Sequence, residues 1–284
     1  MNKKALFRRM KKSKFFLIGS IGLIVIILLC LLSPLYVQYD PLAPDLLMRL
    51  SPPGWFSNGI KGHILGTDAL GRDILTRLLL GGRASLFIAF SVVLPSAAIG
   101  CILGMLSGYF SGVVDNVIMR FCDIMMATPS LLLAICIVAV MGSTFFNLII
   151  TLIITSWVIG ARVVRGTVLA LRESEYVQAA KVMGMSNTKI MFTEILPNVV
   201  TPLIINESQH FGAIILTEAS MSFLGVGVPL PTPSWGSMIS DGRSYIATAP
   251  WVVVVPGIAL MLTVLFFNFL GDGLRDILDP KNKD

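Results

Sequence analysis

Long apolar runs alternate with shorter polar segments along the whole chain. The first run, 15–36, contains no charged residue. Further runs cover about 85–107, 118–141, 144–163, 199–226 and 250–271. At ~1.5 Å rise per residue, each reaches most or all of the way across a hydrocarbon layer ~30 Å thick. The pattern therefore predicts six transmembrane helices and an all-α membrane protein. Pro95, Pro129, Pro202 and Pro256 interrupt four of the spans, which is tolerated where neighbouring helices satisfy the freed carbonyls. The first run is too long for the apolar region of a cleaved signal peptide, and no A-x-A-like site follows it. It is read as a retained anchor behind a basic tail at 1–14.

Residues 37–84 form the longest polar connection, rich in proline at first (Pro41, Pro44, Pro52, Pro53). Thr67 or Asp68 is placed to cap a helix running to Leu80. Leu70, Ile74, Leu75 and Leu78 would face inward, with Arg72 and Arg77 outward, and Gly81-Gly82 would break or bend the helix before Ser85. Within the second run, Ser96, Gly100, Gly104 and Gly108 recur every four residues. Such a face admits another helix backbone closely, and tight packing within the chain is expected ahead of homodimerisation.

A second polar stretch, EYVQAAKVMGMSNTKIMFTEILPN at 175–198, lies between the fourth and fifth runs. Helical spacing over Glu175 to Met183 puts Tyr176, Ala179, Ala180 and Met183 on one side. Ser174 is a candidate N-cap, and Glu175 suits the first turn. Gly184 follows the last periodic residue, where a left-handed C′ residue is cheapest. A second short helix is predicted from about Asn187 to Leu196, capped by Ser186 and ended by Pro197. Each stub would be roughly 15 Å long. An ordinary loop hairpin and a specialised elbow are both compatible with this pattern.

Composition fits membrane insertion: of 284 residues, 55% are hydrophobic and 13% charged. A water-soluble core of this size cannot hide so much apolar surface. The net charge of +6 is no sign of nucleic acid, because seven basic residues precede the first run (Lys3, Lys4, Arg8, Arg9, Lys11, Lys12, Lys14). With the N-terminus inside, sixteen basic residues fall on the inner side and six on the outer, in keeping with the positive-inside tendency. That orientation puts both termini and the 164–198 loop in the cytoplasm, and 37–84 outside. The segments are then a tail (1–14), a first span (15–36), an extracytoplasmic segment (37–84), a five-span core (85–274) and a C-terminal tail (275–284). Cys30, Cys101, Cys122 and Cys136 sit in or beside apolar runs without C-x-x-C spacing. They are read as small hydrophobes.

The sequence holds no Gly-Lys pair and so no phosphate-binding G-x-x-x-x-G-K-[ST] loop. It also lacks H-E-x-x-H, G-x-S-x-G and any carboxylate pair arranged for acid–base work. His63 and His210, the two histidines, are assigned structural roles. Polar residues that are costly in lipid collect in the fifth run: Asn206, Glu207, Gln209, His210 and Glu218. Glu207 and His210 are adjacent on a helix, and Glu218 lies about three turns further along nearly the same face. Ionisable groups at such depth face a bundle interior or a water path. A stripe lining a central passage and a buried hydrogen-bond cluster remain as two readings of these three residues.

Gln178-Ala179-Ala180, Gly184 and the distal Leu196-Pro197 resemble the E-A-A-x-x-x-G…L-P signature of bacterial ABC-importer permeases, with Gln178 at the nominal glutamate. Four further stretches resemble the C-type permease subunit of the dipeptide, oligopeptide and nickel class: LGTDALGRDILTRLLLGGRASL (65–86), GYFSGVVDNVIMRFCDIMMATPSLLLAI (108–135), TEASMSFLGVGVPLPTPSWGSMISDGR (217–243) and PWVVVVPGIALMLTVLFFNFLGDGLRDILDP (250–280). The resemblance implies a six-helix type I importer permease in the bacterial cytoplasmic membrane. It implies that Glu175, Tyr176, Gln178, Ala179, Ala180, Gly184, Leu196 and Pro197 form the coupling elbow that meets an ATPase subunit. It implies four partners: a homologous B-type permease, two cytoplasmic ATPases and an extracytoplasmic solute-binding protein, with lipid around the body. ATP and magnesium would be bound in the ATPases, and no cofactor or metal in this chain. Peptides are the expected solute, nickel or a metal chelate the alternative within the class, and a secondary transporter the alternative from another class.

Overall fold

The computed structural model describes residues 3–56 and 58–278. The first two residues of the basic tail and the C-terminal tail from 279 onward lie outside the described residues. Among the described residues every regular element is helical. They run α1 (Lys3–Lys12), α2 (Lys14–Leu31), α3 (Ser33–Tyr36), α4 (Ile74–Phe110), α5 (Gly112–Ala127), α6 (Ser130–Met141), α7 (Phe145–Arg172), α8 (Glu175–Val182), α9 (Asn187–Ile190), α10 (Leu196–Phe223), α11 (Trp235–Gly242) and α12 (Trp251–Leu278). Among them α2, α4, α7, the joined α9–α10 and α12 are long and apolar enough to cross a membrane, and the bent pair α5–α6 makes a sixth if counted as one span.

The predicted start of the second long helix is displaced. α4 begins at Ile74, and its cap is Asp73, whose carboxylate accepts from the Thr76 N–H at 2.8 Å and the Thr76 hydroxyl at 2.7 Å. Asp68 instead closes a turn in the preceding loop by accepting from the N–H groups of Leu70 and Arg72. The helix then runs without a break through Gly81-Gly82. An added Cβ at Gly82 would stand 2.8 Å from the Trp235 ring, so this glycine makes room for α11. Arg77, predicted to face outward, is only 2% exposed. The 37–73 segment folds over it, and Asp68 and Asp241 approach its guanidinium at 3.3 and 3.7 Å.

α4 and α7 share the most extensive helix contact. Their seam is the predicted small-residue face: a Cβ added at Gly100 would lie 2.9 Å from the Trp157 carbonyl, and one at Gly104 2.4 Å from the Ala161 carbonyl. The close approach is made within one chain. The predicted third span, 118–141, is broken: α5 and α6 meet at 90°. Thr128 before Pro129 is extended (φ −108°, ψ 135°), because the proline ring crowds the helical region of the residue preceding it. The main core joins α2, α4, α6, α7, α10, α11 and α12. A second buried cluster joins the ends of α4 and α7 to α8, α9 and α10, and it carries the polar elbow.

Candidate functional site: the polar elbow and the intramembrane acids

The elbow has the predicted first stub. Ser174 is extended at the N-cap of α8, but its hydroxyl donates back to the Leu171 carbonyl at 2.5 Å instead of capping. Glu175 occupies the first turn. At the other end Gly184 has φ +79°. Its N–H reaches Lys181 O at 3.0 Å, and the Met185 N–H reaches Ala180 O at 3.1 Å. This is a left-handed glycine closing a helix. Ser186 then caps α9 by accepting from the Lys189 N–H at 3.4 Å.

The predicted stop at Leu196-Pro197 does not occur. A π turn over Met191–Ile195 joins α9 to α10, with the Leu196 N–H bonded to Met191 O. Pro197 follows in the first turn of α10. The wider π turn takes up the ring and the missing N–H that would break an α-helix interior. The second stub is thus the end of a long helix, and only α8 is free-standing.

Val177 and Ala180 form the buried face of α8, packed with Ile190, Ile195 and Val199 against Val164 and Val168 of α7. Tyr176, Ala179 and Met183 are exposed. Val182 is 89% and Met183 75% exposed, and Phe192, on the π turn, is also open. The Gln178 amide donates to the Arg172 carbonyl at 2.9 Å, fastening the end of α7. Asn198 donates to the Tyr176 hydroxyl at 3.4 Å, tying α8 to α10. Leu196 is half-buried and Pro197 exposed.

Several residues beneath the elbow were not singled out by sequence pattern. Asp115 accepts from Arg165 Nε and Nη2 at 2.5 and 2.6 Å and from the Ser107 hydroxyl at 2.5 Å. Arg172 donates to the Ser111 hydroxyl and to the Tyr109 carbonyl. The visible signal was Arg165 and Arg172, two cations seven apart on one helix face; their partners on α4 and α5 carry no matching local pattern.

Glu207 and His210 are brought together, Nδ1 to Oε2 at 3.1 Å, and Asn206 donates to the other Glu207 oxygen at 3.0 Å. Glu218 stands apart from them. It is fully buried and accepts from Ser85 of α4 at 2.8 Å and from Ser222 at 2.7 Å. The Ser222 hydroxyl in turn accepts from the Val228 N–H at 3.1 Å. Two serine hydroxyls, one of them held by a backbone amide, thus anchor this acid inside the chain. At the opposite end from the elbow, His63 pairs with Asp73 at 2.9 Å and stacks on Tyr39. Asp241 faces Arg72 and Arg77 there. Partial burial pushes its carboxyl above the ordinary range, against the pull of those two arginines.

Residues 100–284 match the family described as binding-protein-dependent transport system inner membrane component, and residues 4–53 match the N-terminal TM domain of oligopeptide transport permease C. The chain is 43% identical over 277 residues to the dipeptide transport system permease protein DppC of Alkalihalophilus pseudofirmus, covering 98% of this chain and 89% of that one. It is 39% identical to the oligopeptide transport system permease protein OppC of Bacillus subtilis, over 96% of this chain and 88% of the other. A glutathione transport system permease protein, GsiD of Pectobacterium atrosepticum, is 47% identical over 78% of this chain and 74% of its own. The inward-facing MetNI methionine ABC transporter superposes with a TM-score of 0.59 at 18% identity, over 72% of this chain and 97% of that one. An amino acid ABC transporter does so at 0.54 and 15%, over 69% and 91%. At such identities the likeness establishes the fold, which is the type I importer permease fold expected from the motifs. The chain belongs to the family of inner-membrane components of binding-protein-dependent transport systems.

Proposed function

We propose that this chain is a translocation subunit of an ATP-driven importer of di- or oligopeptides. It forms the path with a homologous permease and takes its motion from two cytoplasmic ATPases, which bind the ATP and magnesium; this chain holds no cofactor. A solute-binding protein delivers peptide on the 37–73 side, and both termini and the elbow face the cytoplasm, as the distribution of basic residues supports.

The observation that carries the reading is the elbow itself. It is a short helix closed by a left-handed glycine, with a buried inner face and an apolar outer tip, held beneath a bundle whose family depends on a binding protein. In this role Tyr176 and Ala179, with Glu175, lie on the surface offered to an ATPase. Ala180 and Gly184 set the shape, Gln178 fastens α8 to α7, and Leu196-Pro197 mark the π turn into α10. Glu207 and His210 are placed near the path. Glu218 serves as a pin in its wall, since both its oxygens are engaged by serines of the same chain. The dipeptide, oligopeptide and glutathione names of the relatives favour peptides over nickel, and a family dependent on binding proteins leaves a secondary transporter without support.

The test is uptake of labelled dipeptide into proteoliposomes holding the whole complex, with ATP enclosed and the binding protein outside. Uptake is expected to need ATP and to survive a protonophore. Uptake without ATP, abolished by the protonophore, would overturn the reading. Met183→Asp at the exposed tip is expected to leave the chain folded and to release the ATPase subunits in detergent.

A further inference from the structure

We infer that Tyr109 is the joint that makes α4 and α5 follow the elbow. This rests on the importer reading above, and Tyr109 is a positioning residue that touches neither solute nor nucleotide.

The elbow is joined covalently to α7 and α10 alone. Tyr109, one residue before the end of α4 and 6% exposed, links it sideways to a third helix. Its hydroxyl donates to Asn187 Oδ1 at the start of α9, at 2.9 Å. The Lys181 ammonium of α8 lies 5.5 Å from its ring centroid, within cation–π range. Its carbonyl accepts from Arg172 Nη1, at the end of α7, at 3.3 Å. Both stubs and α7 therefore converge on one side chain and its peptide group. From there the link continues into α5: Arg172 also holds the Ser111 hydroxyl, and Ser107 and Arg165 both hold Asp115.

The seam between α4 and α7 explains why such a joint is needed. Its glycines set backbone against backbone, with 2.4 Å between an ideal Cβ at Gly104 and the Ala161 carbonyl. An interlocked face of this kind does not slide, because packed interfaces have discrete arrangements. A push delivered to α7 alone would reach α4 only as a shear load on that seam. Delivered to α4 at Tyr109 as well, the same push moves α4, α5 and α7 as one body. Packing needs only the ring of Tyr109; transmission to α9 needs its hydroxyl, and this separates the two roles.

The experiment measures peptide taken up per ATP hydrolysed in the reconstituted complex, for the parent, Tyr109→Phe, Asn187→Ala and the double variant. Tyr109→Phe and Asn187→Ala are each expected to lower that ratio by roughly two- to ten-fold, the range one hydrogen bond supports, with ATP hydrolysis retained. The double variant should be no worse than the worse single. A parent-like ratio in Tyr109→Phe, or losses that multiply in the double variant, would overturn the inference. If Tyr109→Phe does not assemble, Asn187→Ala, altered at an exposed elbow position, decides alone by the same ratio. A parent complex with no ATP-dependent uptake would instead sink the importer reading, and the inference with it.

Discussion

Glu218 and Ser85 meet at 2.8 Å in the interior, joining α10 to α4. The second Glu218 oxygen accepts from Ser222, one turn further along α10. A carboxylate enclosed to this degree is stable only with its lone pairs engaged. Glu218→Gln keeps one acceptor and sets an amide N–H₂ against the other serine. We expect it to cost about 1–3 kcal/mol and to lower the thermal midpoint of the purified chain and the yield of assembled complex. An unchanged midpoint with lost uptake would move Glu218 from the wall to the path.

Gly184 tests the elbow's shape. An added Cβ there meets nothing within 4 Å, and φ is +79°, so the penalty for a side chain is conformational and not steric crowding. Alanine should cost roughly 1–2 kcal/mol and valine more, since a branched Cβ is worst in the left-handed region. Asparagine should be the mildest. Uptake per ATP is expected to fall in the order Gly, Asn, Ala, Val; a flat series would show that α8 does not need this turn.

Gly104 and Gly166 make a matched pair. A Cβ at Gly104 would lie 2.4 Å from backbone, whereas one at Gly166 meets nothing within 4 Å. Gly104→Ala is expected to cost about 1–3 kcal/mol through forced separation of α4 from α7. Gly166→Ala, inside α7, should be neutral or stabilising by up to about 1 kcal/mol. Thermal melts of the two variants in one detergent would check both, and equal midpoints would contradict the interlocked seam.

Arg77 is the buried cation of the outer cluster. Arg77→Met removes the partner that Asp68 meets at 3.3 Å and leaves that acid to Arg72 alone. Stripping one member from a buried pair costs roughly 3–5 kcal/mol, and the shared carboxylate places this variant toward the lower end. The readout is chemical accessibility of a cysteine placed at Leu65, a half-buried residue of this segment packed against the cluster of Ile74 and Met238. Faster labelling is expected as the 37–73 segment loosens.

Hydropathy and periodicity alone carried the membrane class, five of the six spans, the first short helix of the 175–198 stretch with its closing glycine and the small-residue face of α4. Each of these depends on neighbours in the chain: an apolar run must be about as long as the bilayer is thick, and a left-handed turn takes glycine wherever it falls. The motifs carried the family in the same way. Only the tertiary structure moved the α4 cap from the expected Thr67 or Asp68 to Asp73, because Asp68 is drawn away by Arg72 and Arg77. It also decided that Pro197 is absorbed by a π turn, that Pro129 bends its span by a right angle, and that Glu218 is parted from Glu207 and His210. Those outcomes turn on which distant group supplies the missing hydrogen bond or counter-charge, and distance along a chain contains no record of that.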